Sequence, residues 1–336
     1  MLKPYPKIIC LTPIKNESWI LERFLKCSSL WADHIIIADQ NSDDGSVEIA
    51  QSFNKVILVR NTSTIFNEPE RQKLLIETAR KIPPPRLLIA LDVDEFLTPN
   101  FLTSPEWQTV LQSPIGSVIF FQWANIRPDM RHYWIPPANF PWGFHDDNSP
   151  HDGKPIHSTR IPIPPHAPII KLRDIKVMHY QYTDWDRMRS KHRWYIAWER
   201  INTPNRSAVS LYRQYHHMYA VPDNEIHNIP DWWFEEYGRL GIDMTSILKE
   251  RSYRWDKNLI EYLRKYGTKY FARDQIWDIN WQQIARKYGY SVEEAEHFKD
   301  PRNLLQKMIH RFLQQTQSHS NSLIVRYFDR LIDRLL

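Results

Sequence analysis

The stretch Arg86-Leu-Leu-Ile-Ala-Leu-Asp92-Val93-Asp94-Glu95-Phe96 decides how this sequence is interpreted. Its apolar run, residues 87–91, is short and continuous and follows three prolines, which is typical of a strand buried on both faces. Ligands of α/β proteins bind beyond the carboxyl ends of parallel strands, so we expect Asp92, Asp94 and Glu95 to lie at such an end. Carboxylates this crowded repel one another unless a cation or proton joins them, which predicts a hard-cation site. A solvated acidic turn is the alternative.

Composition indicates a folded protein whose small positive charge fits an anionic ligand or a weak preference for a membrane surface. Of the 336 residues, 42% are hydrophobic and 13% aromatic, while the net charge is only +5, which does not fit a dedicated nucleic-acid binder. The two cysteines, Cys10 and Cys27, exclude a disulfide framework and fit a reducing compartment. We expect no signal peptide and no membrane-spanning segment. The predicted location is cytoplasmic, with peripheral binding to the inner face of a membrane as an alternative.

Strands alternate with helices through the first hundred residues, which predicts a parallel sheet with right-handed crossovers. We expect Asn16 to cap the first of these helices. The chain becomes mainly helical from residue 223, so the predicted division is a domain over 1–222 and a helical C-terminal region over 223–336. The predicted strands are 7–12, 34–38, 56–60, 87–91, 118–123 and 175–180, and the predicted helices are 17–31, 47–53, 70–81 and 184–200, with two amphipathic helices within 302–336.

A second polar segment, Asp39-Gln-Asn-Ser-Asp-Asp-Gly-Ser46, follows the second predicted strand. A nucleotide base and ribose can rest there in a doubly wound sheet, where a carboxylate accepts from base N–H groups or ribose hydroxyls. Asn41 and Gly45 supply the conformations of a tight turn. An ordinary turn that caps the next helix is the alternative. Neither G-x-G-x-x-G nor G-x-x-x-x-G-K-[ST] occurs, which argues against Rossmann dehydrogenases and P-loop proteins.

Together with Pro13-Ile-Lys-Asn-Glu17, these two segments resemble the family 2 glycosyltransferases, which transfer sugars from nucleotide donors and have the GT-A fold. The resemblance covers roughly residues 7–200. It implies an α/β, Rossmann-like mixed sheet flanked by helices, here with a mainly helical C-terminal extension. It also implies that Asp39 contacts the nucleoside and that Asp92-Val-Asp94 is the D-x-D element, which holds a divalent metal on the donor diphosphate. Many relatives have a second Asp where this chain has Gln40.

The expected cofactor is Mn²⁺ or Mg²⁺, bound by Asp92 and Asp94, because a divalent cation neutralises the charge of a departing diphosphate. The resemblance puts a metal-ligand histidine near His179, and an imidazole ligand favours Mn²⁺. A satisfied core histidine is the alternative. We expect contacts with the donor nucleotide from Pro13, Asn16, Glu17, Asp39, Asn41, Arg71, Asp92, Val93 and Lys191.

The acceptor side is predicted from the middle of the chain. Trp142 is the candidate platform for an acceptor sugar, although most aromatic residues around it are expected in the core. The resemblance implies an acidic pair before the later histidine, and Asp146-Asp147 is the adjacent acidic pair in that region, so these residues are the candidate general base. A flexible acceptor loop without a catalytic carboxylate is the alternative.

The predicted function is a metal-dependent glycosyltransferase acting on a glycan, glycolipid or other hydroxyl acceptor, and the resemblance implies that the transfer is inverting. A sugar-phosphate nucleotidyltransferase and a catalytically inactive carbohydrate-binding or scaffold protein are the alternatives. The last helix, residues 323–336, has an apolar face, which fits either a membrane interface or packing on its own domain or on a second subunit. Its acids, Asp329 and Asp333, favour packing.

Overall fold

The computed structural model describes residues 5–63, 66–250 and 252–334, which form two compact units. The first unit contains the described residues up to Thr183 together with His227–Lys249. The second contains Asp184–Ile226 and the described residues from Glu250 onward. This division differs from the predicted boundary after residue 222, because the segment 227–249 packs with the first unit and the helix after Asp184 packs with the second.

Strands and helices occupy the following bounds. The strands are β1 (Lys7–Ile14), β2 (His34–Asp39), β3 (Val56–Arg60), β4 (Arg86–Ala90), β5 (Glu95–Leu97), β6 (Val118–Ile126), β7 (His132–Trp134), β8 (Asn139–His145), β9 (Ile169–Lys171), β10 (Val177–His179) and β11 (Ile226–Asn228). The helices of the first unit are α1 (Leu21–Ser28), α2 (Ser46–Gln51), α3 (Glu68–Ala79), α4 (Pro105–Gln112) and α7 (Trp232–Arg239). Those of the second are α5 (Trp185–Asn202), α6 (Ala208–Tyr215), α8 (Arg254–Tyr266), α9 (Trp281–Lys287), α10 (Val292–Ala295), α11 (Leu304–Gln315) and α12 (Leu323–Ile332).

The strands form one mixed sheet in the order β11-β7-β6-β8-β4-β1-β2-β3, with β9 and β10 beside β6, and β5 beside β10. Strands β4, β1, β2 and β3 run parallel to one another, whereas β8 runs antiparallel to both β4 and β6. The predicted α/β class, with a mixed sheet flanked by helices and a mainly helical C-terminal part, is therefore confirmed.

Both faces of β4 are buried, as its apolar run predicts. Successive side chains of a strand point to opposite faces. Accordingly, Leu87 and Ile89 pack in one core with α1, while Leu88 and Ala90 pack in a second core with α3. The structure thus explains why this strand contains no polar residue between Arg86 and Asp92.

The start of the first helix was predicted wrongly. Helix α1 begins at Leu21, and its N-cap position is Ile20, not Asn16. Asn16 instead has a positive φ of 53°, a left-handed conformation that asparagine tolerates better than most residues, and it lies in a loop. The polar segment after β1 therefore forms a loop at the edge of the sheet and is not part of the helix.

The second unit is helical and is held together by buried ion pairs. Asp184 caps α5, as its side chain accepts hydrogen bonds from the backbone N–H groups of Asp186 and Arg187. Arg200 and Asp274 form a bidentate pair whose side chains are both fully buried. The two predicted C-terminal amphipathic helices correspond to α11 and α12, and residues 335–336 lie outside the described part. Among the described helices, none is long and apolar enough to cross a bilayer.

Candidate functional site

The carboxyl ends of β1, β2 and β4 meet at one edge of the sheet. Ile14, the last residue of β1, pairs in register with Asp39, the last residue of β2. On the other side of β1, Leu11 pairs with Ala90, the last residue of β4. The three polar segments that the sequence singled out therefore leave the sheet side by side, as expected for a ligand site of an α/β protein.

Hydrogen bonds join the loop after β1 to the loop after β2. The backbone N–H of Asn16 donates to Ser42 Oγ (2.8 Å), and that of Glu17 donates to Ser46 Oγ (2.9 Å). The N–H of Ser18 donates to Asp44 Oδ2 at 2.9 Å. These bonds hold the two loops as one rigid rim on the edge of the sheet.

Asp39 shapes the second of these loops. Its side chain is almost entirely buried, and both carboxylate oxygens lie within hydrogen-bonding distance of the Ser42 backbone N–H, at 3.2 and 3.3 Å. Asn41, inside this turn, has a φ of 55°. The segment forms a tight turn, but the N-cap of α2 is Gly45 and has no side-chain hydrogen bond. The contact of Asp39 and Asn41 with a nucleoside stays a prediction.

Glu95 lies at the centre of the acidic segment after β4. Its carboxylate is fully buried and accepts hydrogen bonds from Trp123 Nε1 (2.8 Å) and from the backbone N–H of Asp92 (2.9 Å). Arg160 donates to both of its oxygens. Burial raises the pKa of Glu95 to about 7, opposed by the positive charge of Arg160 and reinforced by the negative charge of Asp92.

Arg160 is the cation that joins the crowded carboxylates, and the sequence did not single it out. It bridges Glu95 and Asp92, with Nη2 2.8 Å from Asp92 Oδ2, and its guanidinium lies 5.1 Å from the ring centroid of Trp142. It comes from the long segment between β8 and β9, which is anchored to α3 where the Ser158 N–H donates to Glu68 (2.7 Å). Three acids within four positions indicate that a cation must lie close to them. The sequence alone does not identify whether that cation is a metal ion or a side chain, or which side chain it is.

Asp94 and His179 form the second part of the site. Strands β5 and β10 are antiparallel and place Glu95 opposite His179, so that Asp94 Oδ2 lies 3.9 Å from His179 Nε2. His179 Nδ1 donates to Asn125 Oδ1 at 2.8 Å, and its ring stacks on Trp123 with centroids 4.5 Å apart. Because an amide oxygen can only accept, Nδ1 carries the proton in this bond, and the other ring nitrogen, Nε2, faces Asp94.

This geometry fits a metal ion held by few protein ligands. A histidine that donates its other N–H to an oxygen acceptor is the usual arrangement of a metal-binding imidazole. Among residues 5–63, 66–250 and 252–334, no three His, Cys, Asp or Glu side chains stand close enough to hold a metal by themselves. Asp92, the third predicted ligand, instead forms an ion pair with Arg160. A cation here would thus rest on Asp94 and His179 and complete its coordination with ligand oxygens, as Mg²⁺ often does with phosphates.

The structure places Asp146 and Asp147 far from this edge. The Asp146 side chain is fully buried and pairs with Arg80 (2.8 Å) and Arg86 (2.7 Å). Its backbone N–H donates to the carbonyl oxygen of Arg86, the first residue of β4, whereas Asp92 follows the last residue of that strand. The four residue steps of β4 separate the two ends by about 13 Å. This position contradicts the predicted role of the acidic pair as general base.

The ion pairs of Asp146 give this side chain a structural role. Burial alone would raise its pKa, but the hydrogen bonds and charges of Arg80 and Arg86 outweigh burial, so the pKa is lowered. Asp147 lies next to it, where its Oδ1 accepts from the Ser149 N–H at 2.8 Å. Both acids therefore stabilise the turn at the amino end of β4.

The other predicted site residues lie in varied surroundings. Trp142 is almost fully buried, stacks on Phe140 and lies under the guanidinium of Arg160, so it does not present an open surface to an acceptor. Val93 is buried in the core with α1, while Pro13 lies inside β1. Lys191 lies on α5 in the second unit.

Arg71 lies in the first turn of α3 with its guanidinium 5.5 Å from the ring of Phe66. Within the described residues, its Nε atom is buried without a hydrogen-bond partner. A buried donor of this kind is costly unless an acceptor binds there. An anionic ligand at the start of α3 would supply that acceptor.

Comparisons with known proteins show only distant likenesses. No family model matches the sequence, and no curated protein matches it. One solved structure is a 4-diphosphocytidyl-2C-methyl-D-erythritol synthase, with 12% identity and a TM-score of 0.29 over 43% of this chain and 76% of that one. Another is HddC from Yersinia pseudotuberculosis, with 11% identity and a TM-score of 0.30 over 52% of this chain and 93% of that one. A third is a glycosyltransferase involved in the glycosylation of the major capsid of PBCV-1, with 18% identity and a TM-score of 0.23 over 42% and 61%.

Proposed function

We propose that this protein is an inverting glycosyltransferase that moves a sugar from a uridine- or guanosine-diphosphate donor to a hydroxyl of a glycan or glycolipid. The observation that carries the proposal is the meeting of three polar segments at one edge of the sheet. The rim formed by Asn16 and Asp39 lies beside the acidic segment of Asp92 and Asp94 because β2, β1 and β4 end together. Such an edge can hold a nucleoside over one strand and its diphosphate over the next.

Each part of the edge has a chemical role in the proposed reaction. The rim after β1 and β2 would bind the nucleoside, and the buried donor of Arg71 would bind a phosphate oxygen. Asp94 and His179, with Asp92 at the entrance, would hold Mn²⁺ or Mg²⁺, which neutralises charge on the departing diphosphate when bound. Arg160 lies between Asp92 and Glu95 and offsets the repulsion of the two carboxylates.

The geometry of the first loop favours this reaction over nucleotidyl transfer. A nucleotidyltransferase that cradles a triphosphate after its first strand needs backbone N–H groups directed at the phosphates. Here the N–H groups of Asn16, Glu17 and Ser18 already donate to side chains of the second loop, at 2.8 to 2.9 Å. A triphosphate would have to break all three bonds, whereas a diphosphate over the β4 edge leaves them intact.

The products of the reaction test the proposal. The purified chain would be incubated with UDP- and GDP-sugars plus Mn²⁺, and release of the nucleoside diphosphate would be measured with and without glycan acceptors. In parallel, nucleoside triphosphates and sugar 1-phosphates would be supplied, and release of pyrophosphate measured. We expect diphosphate release that Asp94→Asn abolishes and that Asp147→Asn, at the far end of β4, leaves intact.

Two results would contradict the proposal. Release of pyrophosphate without release of nucleoside diphosphate from any donor would identify a nucleotidyltransferase. Neither product, together with glycan binding, would identify an inactive carbohydrate-binding protein.

A further inference from the structure

The outward surface of α11 and α12 is apolar, although both helices already bury an apolar face. Ile309, Leu313 and Ile332 pack against α6 in one hydrophobic cluster. The outward side exposes a further set of large side chains, with exposed fractions from 37% for Leu331 to 83% for Leu323. We call this set the outer patch; it contains Leu304, Leu305, Met308, Leu323, Ile324, Tyr327, Phe328 and Leu331. An exposed apolar surface on a helix that is already packed marks an interaction site.

The outer patch is continuous across the two helices. The ring of Phe312, on α11, contacts that of Phe328, on α12, with centroids 6.0 Å apart. At 100° per residue, the five patch residues of α12 cover one arc of about 140°. The two apolar arcs therefore join along the seam between the helices.

Basic side chains border the patch, and the acids of α12 point elsewhere. Arg311, Arg326, Arg330 and Arg334 are all exposed. Asp329 is bound by Arg213 through two hydrogen bonds of 2.8 and 3.0 Å, and Asp333 accepts from Ser207 of the same unit. Helix α11 contains no acidic residue. The acids therefore bind α12 to its own unit, and the other charged side chains of α11 and α12 are all basic.

We propose that the outer patch binds the surface of an anionic lipid bilayer. Apolar side chains of an interfacial helix enter the boundary between headgroups and acyl chains, while arginines on its flank attract anionic headgroups. A second copy of this chain is a poorer occupant, since a two-fold contact would set each patch, with its four arginines, against the same four arginines of the partner. The charge of the border thus complements a negative membrane and opposes self-association.

Sedimentation with vesicles tests this proposal on the full chain. Binding would be measured to neutral phosphatidylcholine vesicles and to vesicles with 30% phosphatidylglycerol, over a range of salt concentrations. We expect salt-sensitive binding to the anionic vesicles and little to the neutral ones. Arg326→Gln/Arg330→Gln/Arg334→Gln should weaken it about 100-fold at low salt. The matched control Lys257→Gln/Arg264→Gln/Arg286→Gln removes the same charge from exposed positions of α8 and α9 and should bind like the unmodified chain.

The apolar contribution is tested separately. Met308→Ser/Leu323→Ser/Ile324→Ser should reduce binding at least about tenfold, because lipid binding scales with buried apolar area. Leu240→Ser/Leu248→Ser changes exposed leucines of the first unit and should have no effect. Thermal melting of every variant would be followed, so that loss of fold is separated from loss of binding.

The outcomes decide the proposal in either direction. Binding that both sets of patch variants lose, and both controls keep, supports a lipid-binding face. Absence of binding to anionic vesicles overturns it. Concentration-dependent dimers that the apolar patch variants abolish, without vesicle binding, would instead identify a self-association face. The result is independent of the proposed transferase activity, because nucleotide binding to the first unit can be measured on the same variants.

Discussion

Replacement of Arg160 by methionine tests the most distinctive feature of the candidate site. The substitution keeps an unbranched apolar stem but removes the guanidinium, with its contacts with Glu95 and Asp92 and its charge over Trp142. Glu95 is then a fully buried carboxylate without its cation, beside two further acids. Removing one partner of a buried ion pair typically costs about 3–5 kcal/mol. We expect Arg160→Met to lower the free energy of unfolding of the first unit by that amount at pH 7.

Chemical denaturation of four proteins measures the coupling. They are the unmodified chain, Arg160→Met, Glu95→Gln and the double variant. Because glutamine removes the uncompensated charge, the double variant should regain about 1–3 kcal/mol relative to the sum of the single changes. The loss in Arg160→Met should also grow as the pH rises above about 7, where Glu95 of the unmodified chain has released its proton. Without Arg160 to lower the pKa of Glu95, the folded variant retains that proton to a higher pH, while the unfolded chain has released it, so the stability of the variant falls further as the pH rises.

A second readout concerns metal binding. Without Arg160, three carboxylates share one segment with no cation, so Mn²⁺ should raise the melting temperature of Arg160→Met more than that of the unmodified chain. Additive effects of Arg160→Met and Glu95→Gln, together with equal metal responses, would refute the view that Arg160 is the bound cation of this segment.

Three further predictions follow from the same contacts. Asp146→Asn should lower the free energy of unfolding by about 3–5 kcal/mol at pH 7, measured by chemical denaturation. Because the folded protein holds the pKa of Asp146 below its ordinary value, the stability that its carboxylate contributes is lost as the pH falls through this lowered pKa. The difference in stability between the variant and the unmodified chain should therefore shrink toward pH 3. Asn125→Leu should weaken Mn²⁺ binding about 10- to 100-fold in calorimetry, because His179 loses the acceptor that fixes its tautomer; unchanged affinity would argue against His179 as a ligand. Gly45→Ala should lower stability by about 1 kcal/mol, since Gly45 has a φ of 92° and an added Cβ meets nothing within 4 Å, which leaves backbone strain as the sole cost.

The edge of the sheet was predictable from the sequence because strand periodicity and chain order are local signals. The apolar run before Asp92 identifies a strand buried on both faces, and alternation with helices identifies its parallel neighbours. Once the strands are parallel, their carboxyl ends share an edge. The meeting of the Asp39 and Asp92 segments therefore followed from local patterns and one topological rule.

The partners within the site were not predictable, because they depend on contacts between distant segments. Arg160 is 65 positions from Glu95 in the sequence and lies in a region rich in proline, histidine and aromatic residues, whose short strands could not be placed from the sequence. Asp146 was misjudged for a related reason: a pair of adjacent acids has the same sequence whether it lies at the carboxyl or the amino end of β4. The antiparallel direction of β8, which places it at the amino end, appears only in the structure.

Thermal melting with a panel of nucleotides, each with Mn²⁺, Mg²⁺ or a chelator, tests the central claim most directly. A ligand that binds only the folded state raises the melting temperature by mass action. We predict a metal-dependent rise with one nucleoside diphosphate, lost in Asp94→Asn and kept in Asp147→Asn. If no nucleotide raises the melting temperature under any metal condition, the edge formed by β1, β2 and β4 is not a nucleotide-sugar site.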